Sequence, residues 1–221
     1  MTEPTTADVM SRRVLAAAPD MPFRELVGAM IAADVSVVPV IDAVGRPVGL
    51  VSEVDLAAKL EFHGGAESPP ILAGAHARSR WHKAFGCCAA DLMTAPAVMV
   101  AEDMPLCLAL RVLAGERMDA LCVVNDRGTL VGLLTRRDAL RLFLRGDDAI
   151  RGDLERQLFG AAPTKHRVVV RVAGGVVTLD GALCLRSATE RAEWIAHGVA
   201  GVIAVRNNLS FDVDDLMITG L

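Results

Sequence analysis

The chain has 221 residues, 52% of them hydrophobic, 4% aromatic and none tyrosine, with a formal net charge of -4. An acidic balance without a basic stripe and interleaved aromatics argues against nucleic acid as the main partner. The apolar content suffices for sizeable aliphatic cores, yet no apolar run reaches the roughly 18–20 residues of a membrane span, so the excess is expected in cores or in a subunit interface, and the regular Val/Leu/Ala patterning with few aromatics favours an interface.

The first residues, MTEPTTADVMSRR, lack a basic start followed by an apolar core. No secretory leader is expected there, and a cytoplasmic location follows as the expectation. Residues 14–17 predict a short strand. Pro22 opens a helix to about Asp34, because proline suits the first helical turn, and Phe23, Leu26, Val27, Met30 and Ile31 recur at helical spacing. Residues 36–41 predict a buried strand, residues 42–46 a turn about Gly45, residues 47–51 a return strand and residues 52–62 a second helix. This β-α-β-β-α order then repeats. Ala7-Asp8-Val9-Met10 returns as Ala90-Asp91-Leu92-Met93, an offset of 83 residues, and GRPVGLVSEVD (45–55) returns as GTLVGLLTRRD (128–138). The second copy predicts strands at 98–101, 120–124 and 130–134, with helices at 105–117 and 135–145. Between the copies, Gly64-Gly65, Pro69-Pro70 and Gly74 predict loop, and residues 78–85 a short helix.

After Gly146 the pattern changes. Residues 147–159 predict an amphipathic helix, 168–173 a strand, Gly174-Gly175 a hairpin turn, 176–179 a return strand ended by Asp180-Gly181, 187–197 a helix capped by Gly198, and 202–211 a last strand. The fold class is therefore α+β: two β-α-β-β-α repeats followed by a small α-β-β-α-β domain. The expected domains are residues 7–62, a linker at 63–89, residues 90–145 and residues 147–212.

Each repeat ends in strand, then Ser/Thr-x-x-Asp, then helix: Ser52 to Asp55 and Thr135 to Asp138. A helix N-terminus offers unpaired N–H groups and partial positive charge to a phosphate. The hydroxyl can add a bond, and the carboxylate can accept from ribose hydroxyls. The same spacing also makes a capping box that only satisfies the helix's own N–H groups. Both readings stand from the residues, although recurrence at one offset favours a site. Arg136 and Arg137 follow Thr135, where Glu53 and Val54 follow Ser52. Arginines beside such a helix start favour a polyanion; as solvated charges they would do nothing.

These features resemble a tandem pair of CBS domains, the cystathionine β-synthase-type repeat. The resemblance rests on ADVM and ADLM at the starts, SVVPVID and DALCVVND in the middle, and GLVSEVD and GLLTRRD at the ends. It implies a pseudo-twofold pair, a Bateman module, with two clefts that take AMP, ADP, ATP or S-adenosylmethionine, and a homodimer through the CBS domains. It assigns ribose and phosphate contacts to Ser52, Asp55, Thr135 and Asp138, and adenine-lining strands to Ser36, Val37, Val38, Pro39 and to Asp119, Ala120, Leu121, Cys122. Cys122 stands where the first copy has Pro39, so the two pockets are expected to differ, with the better one using Thr135, Asp138, Arg136 and Arg137.

The tail, RVVVRVAGGVVTLDGAL through GVAGVIAVRNNL, resembles a BON domain, which implies protein association or phospholipid binding. Residues 147–212 carry 8 Lys/Arg and 8 Asp/Glu, so attraction to an anionic membrane should be weak and a protein partner is favoured. Cys87, Cys88, Cys107, Cys122 and Cys184 form no CxxC pair and are expected to be reduced thiols. His63, His76, His82, Cys87 and Cys88 crowd the linker at spacings that match no chelating pattern, so no metal and no cofactor is expected. No nucleophile elbow, P-loop or H-E-x-x-H motif occurs. The expectation is a non-enzymatic regulatory protein; the alternatives are a pair that only dimerises and a redox or metal sensor on the linker cysteines.

Overall fold

The computed structural model describes residues 4–62, 74–115, 118–160 and 168–216. The chain divides into a compact unit from Thr5 to Ala139 and a second built mainly from Leu140 onward.

In the first unit, copy one comprises α1 (Thr6–Val9), α2 (Phe23–Ala33), β1 (Val37–Ile41), β2 (Pro47–Ser52) and α3 (Glu53–Glu61). The linker contributes α4 (Ala75–Ala84). Copy two comprises α5 (Ala89–Leu92), β3 (Met99–Ala101), α6 (Leu106–Gly115), β4 (Ala120–Val124), β5 (Leu130–Thr135) and α7 (Arg136–Leu140), followed by a 3-10 turn at Arg141–Leu144. Helix α2 buries Leu26 and Met30 and stops at Asp34, whose φ of 52° is left-handed, a conformation that aspartate tolerates better than most residues. The hairpin turns are built alike. Asp42 Oδ1 accepts from the N–H groups of Val44 and Arg46 at 3.0 and 2.8 Å, and Asn125 Oδ1 accepts from Arg127 and Thr129 at 3.0 and 3.1 Å. Side chains that bond forward to their own turn are why Asp and Asn mark turns.

The two copies exchange their leading segments. Thr6 and Ala7 donate N–H bonds to the carbonyls of Met104 and Glu102, both at 2.9 Å, while Ala89 and Ala90 donate to Met21 and Pro19 at 3.0 and 2.8 Å. Ser11 bridges Leu133, and Thr94 bridges Leu50. Every partner in one set lies 83 positions from its counterpart in the other. The shared core between the sheets is equally reciprocal: Val37 with Ala120, Leu50 with Leu133, and Val14 with Ala97, joined by Cys122. Neither α1 nor α5 nor this exchange is expected from the sequence pattern, because both segments are one turn long.

The predicted strand at residues 14–17 is reduced to a single parallel bridge between Ala17 and Val40, whereas its counterpart in copy two is a true strand paired with β4. The cause is position 39. Cys122 donates its N–H to Val98 at 3.0 Å; Pro39 at the same place has no N–H to give. Pro39 costs β2 nothing, since its partner Leu50 spends both backbone groups on Thr94.

Other boundaries shift. The helix predicted at 135–145 tightens into the 3-10 turn after Leu140, a common way for a helix to end. The linker helix starts at Ala75 rather than 78. The helix predicted at 105–117 is described to Gly115, and the predicted loop at 64–73 lies outside the described residues.

The second unit comprises α8 (Asp147–Phe159), β6 (Val168–Ala173), β7 (Val176–Leu185), α9 (Arg186–His197) and β8 (Ala204–Val213). Its sheet runs β6-β7-β8, antiparallel and then parallel. Ile150 and Leu154 of α8 and Ala192, Ile195 and Ala196 of α9 pack on Val170, Val177 and Leu179. Gly174 and Gly175, at φ 55° and 75°, form the hairpin turn, and the Asp147 carboxylate accepts both their N–H groups at 2.8 and 2.9 Å. Strand β7 does not stop at Asp180-Gly181: Gly181 pairs with Val168 on one side and Leu209 on the other, so two neighbours carry the strand through the glycine to Leu185. The last strand is Ala204–Val213, two residues later than expected.

Candidate functional site

Both Ser/Thr-x-x-Asp motifs form closed capping boxes. Asp55 Oδ2 accepts from the Ser52 N–H at 2.8 Å and from Ser52 Oγ at 2.9 Å. Asp138 Oδ2 accepts from the Thr135 N–H at 2.9 Å and from Thr135 Oγ1 at 2.6 Å, and the Asp138 N–H donates back to Thr135 Oγ1 at 3.2 Å. The capping role expected of these residues is therefore present in full, and it holds each hydroxyl and carboxylate in fixed orientation at the mouth of α3 or α7.

The second carboxylate oxygens meet different groups. Asp138 Oδ1 accepts from Ser11 Oγ at 2.9 Å. Thr94 is the counterpart of Ser11, yet it does not reach Asp55. Lys83 Nζ, from the end of α4, stands between them, 2.6 Å from Asp55 Oδ1 and 2.7 Å from Thr94 Oγ1. Lys83 is 6% exposed and Asp138 4%. A buried lysine ammonium requires such a partner, because leaving an ionised group unpaired in a dry site is costly. Sequence reasoning missed all three of these residues. Ser11 and Thr94 were findable, as hydroxyls repeated at the 83-residue offset. Lys83 was not, since it lies outside the repeat.

Arg136 and Arg137 open α7, as expected. Arg136 Nη2 donates to the Leu113 carbonyl at 3.2 Å, in the last turn of α6, and its Nη1 lies 3.9 Å from Asp119 with both side chains more than half exposed. This is the usual way a cation satisfies a helix C-terminus, and the long, exposed ion pair adds little. Arg137 is exposed. Of the strand positions, Ser36 and Asp119 are exposed, while Val37, Val38, Pro39, Ala120, Leu121 and Cys122 are buried. Ser36 contributes its carbonyl to the Glu53 N–H at 3.0 Å. Burial pushes the Cys122 thiol up to about 12, so it is a packing group with no nucleophilic character at neutral pH.

Of the linker His and Cys residues, His63 lies outside the described residues. Cys88 and Cys87 direct their N–H groups at Asp91 Oδ2, which lowers that carboxyl below its ordinary value, the Cys87 N–H being the largest cause. Among the described residues no three His, Cys, Asp or Glu side chains converge as metal ligands, and no helix is long and apolar enough to cross a membrane.

A doubled unit of helix, antiparallel strand pair and helix, with exchanged leading segments and one capped acidic motif per copy, defines a tandem-repeat pair. The chain belongs to the CBS domain family, whose model matches residues 7–61 and 89–145, and the BON domain model matches residues 146–212. Among solved structures, the CBS-pair protein CBSX2, crystallised in complex with AMP, is 28% identical, covering 63% of this chain and 96% of that one with a TM-score of 0.54; CBSX2 from Arabidopsis thaliana is 27% identical, covering 65% and 96%, with a TM-score of 0.51. The CBS pair of protein MJ0100, in complex with 5'-methylthioadenosine and S-adenosyl-L-methionine, shares the fold at 20% identity, covering 64% and 97%, with a TM-score of 0.51. The uncharacterized protein MK0525 of Methanopyrus kandleri is 24% identical over 138 residues, and the chain spans 62% of its length.

Proposed function

We propose that this protein is a regulatory module whose CBS pair binds an adenosyl ligand between the repeats and passes the change to the BON domain. The observation that carries it is the duplicated motif: at the start of α3 and again of α7, a hydroxyl and a carboxylate are fixed side by side beside a helix N-terminus. A phosphate gains from the N-terminal N–H groups, and a ribose diol can donate to a carboxylate held in place beforehand. The complex of CBSX2 with AMP supports an adenine nucleotide as the ligand class, with S-adenosylmethionine as the alternative. The role is binding and signalling rather than catalysis.

In this reading the CBS pair also forms a homodimer, and the BON domain is a protein-interaction module. A thermal-shift screen with AMP, ADP, ATP and S-adenosylmethionine tests ligand binding. At one hundred times Kd, a ligand bound only to the folded state adds about 2.7 kcal/mol. A second reading, a pair that only dimerises, is favoured by the complete engagement of both motifs in helix capping. It predicts no shift with any of the four ligands and a dimer of unchanged mass in sedimentation.

A further inference from the structure

We infer that Lys83 closes the first cleft, so that the linker itself occupies the ligand position of Ser52 and Asp55. The inference rests on the adenosyl-cleft reading and specifies how one of its two clefts is regulated. The repeat supplies an internal reference. At the second motif, Ser11 bonds directly to Asp138. At the first, Lys83 of the linker stands between Asp55 and the equivalent hydroxyl of Thr94.

Both carboxylates are engaged at both oxygens, but the group on Asp138 Oδ1 is the neutral hydroxyl of Ser11. Asp55 Oδ2 is held by Ser52 and its Oδ1 by Lys83, so a ribose hydroxyl reaching Asp55 Oδ1 must evict an ammonium. The eviction is opposed by geometry on every side. The Lys83 and Asp55 side chains are 7% and 14% exposed. Lys59 Nζ, from α3, donates to the carbonyl of Ala84 at 3.0 Å, the residue next to Lys83, and Arg80 of α4 pairs with Glu61 at the other end of α3. Helix α4 is thus pinned along α3 at Lys83, Ala84 and Arg80, and it carries Lys83 as a fixed part. A buried ion pair broken on one side leaves the remaining charge unpaired. A ligand that displaced Lys83 would have to compensate both groups.

The test is equilibrium dialysis of the full chain with radiolabelled AMP. Thr135→Ala with Asp138→Asn disables the second cleft while leaving an amide oxygen to cap α7. With Lys83 in place, this double variant is expected to retain no AMP. Adding Lys83→Met, which keeps the volume and removes the charge, is expected to restore about one AMP per chain. Retention of AMP by the double variant with Lys83 present overturns the closure. So does weaker binding on Lys83→Met, which would make Lys83 a phosphate ligand. If wild type binds AMP and Lys83→Met gains nothing, the closure falls and the adenosyl reading stands. If no variant binds, wild type included, the adenosyl reading falls and the closure with it.

Should Lys83→Met fail to fold, by circular dichroism, amine labelling of wild type keeps the question open to refutation. Lys83 is expected to be labelled far more slowly than Lys59, by tenfold or more, with and without AMP. Equal rates overturn the closure.

Discussion

Cys122 donates its backbone N–H to the carbonyl of Val98 over 3.0 Å, and at the equivalent place in the first copy Pro39 cannot. One residue type thereby decides whether the leading segment becomes a strand. Cys122→Pro should remove the bond and leave the Val98 carbonyl without a partner. The expected loss is roughly 1 kcal/mol, since a half-buried backbone carbonyl loses its hydrogen bond. A urea melt of wild type and variant measures it, and amide exchange at Val100, which relies on the same register, should accelerate.

Met10 and Met93 cross between the copies onto glycines. A Cβ at Gly49 would sit 2.5 Å from Met93 Sδ, and a Cβ at Gly132 would collide with Met10 Sδ. Gly49→Ala and Gly132→Ala should each destabilise by about 1–3 kcal/mol, the usual cost of overpacking. Met93→Ala in the Gly49→Ala background should return part of that loss, and Met10→Ala should not. A double-mutant cycle from denaturant midpoints distinguishes the two.

The Asp147 carboxyl lies below its ordinary value of 3.8, the Gly175 N–H contributing most and the Gly174 N–H next. Its unfolded value is the higher one, so the stabilisation is complete above about pH 3.8 and is lost as pH falls through the folded value. Asp153 behaves alike, with the Arg145 guanidinium as main cause. The second unit should therefore melt at lower temperature as pH drops below 3.8. Asp147→Asn should lower the melting temperature at pH 7 and make the acid dependence shallower. Calorimetry from pH 2.5 to 7 reads both slopes.

Cys122 is fully buried, with its thiol pushed up to about 12, whereas Cys87 and Cys184 are exposed. With iodoacetamide at pH 8, mass spectrometry of the native protein should find Cys87 and Cys184 modified and Cys122 intact. Prior unfolding in urea should make Cys122 react as fast as the others, because only its burial withholds the thiolate.

The repeat, the fold class and most elements were legible because they are local. Leu26 and Met30 at helical spacing, the β-branched runs at 37–41 and 120–124, and the Asp42 and Asn125 turns carry their own instructions. Gly181 in β7 reads as a stop when taken alone, because glycine weakens a strand interior. Its two strand neighbours, distant in sequence, overrule it.

The candidate site divides the same way. The sequence by itself determined the Ser52/Asp55 and Thr135/Asp138 pairs, since hydroxyl and carboxylate three residues apart at a helix start must meet. It also marked Pro39 and Cys122 as a difference between the copies, while the backbone N–H that separates them there came from the structure. Only the tertiary structure decided what faces those carboxylates. Ser11 reaches Asp138 from 127 residues away, and Lys83 reaches Asp55 from the linker between the repeats. Such contacts depend on how the leading segments exchange and how α4 lies along α3, and chain geometry of that range leaves no periodic trace in a sequence.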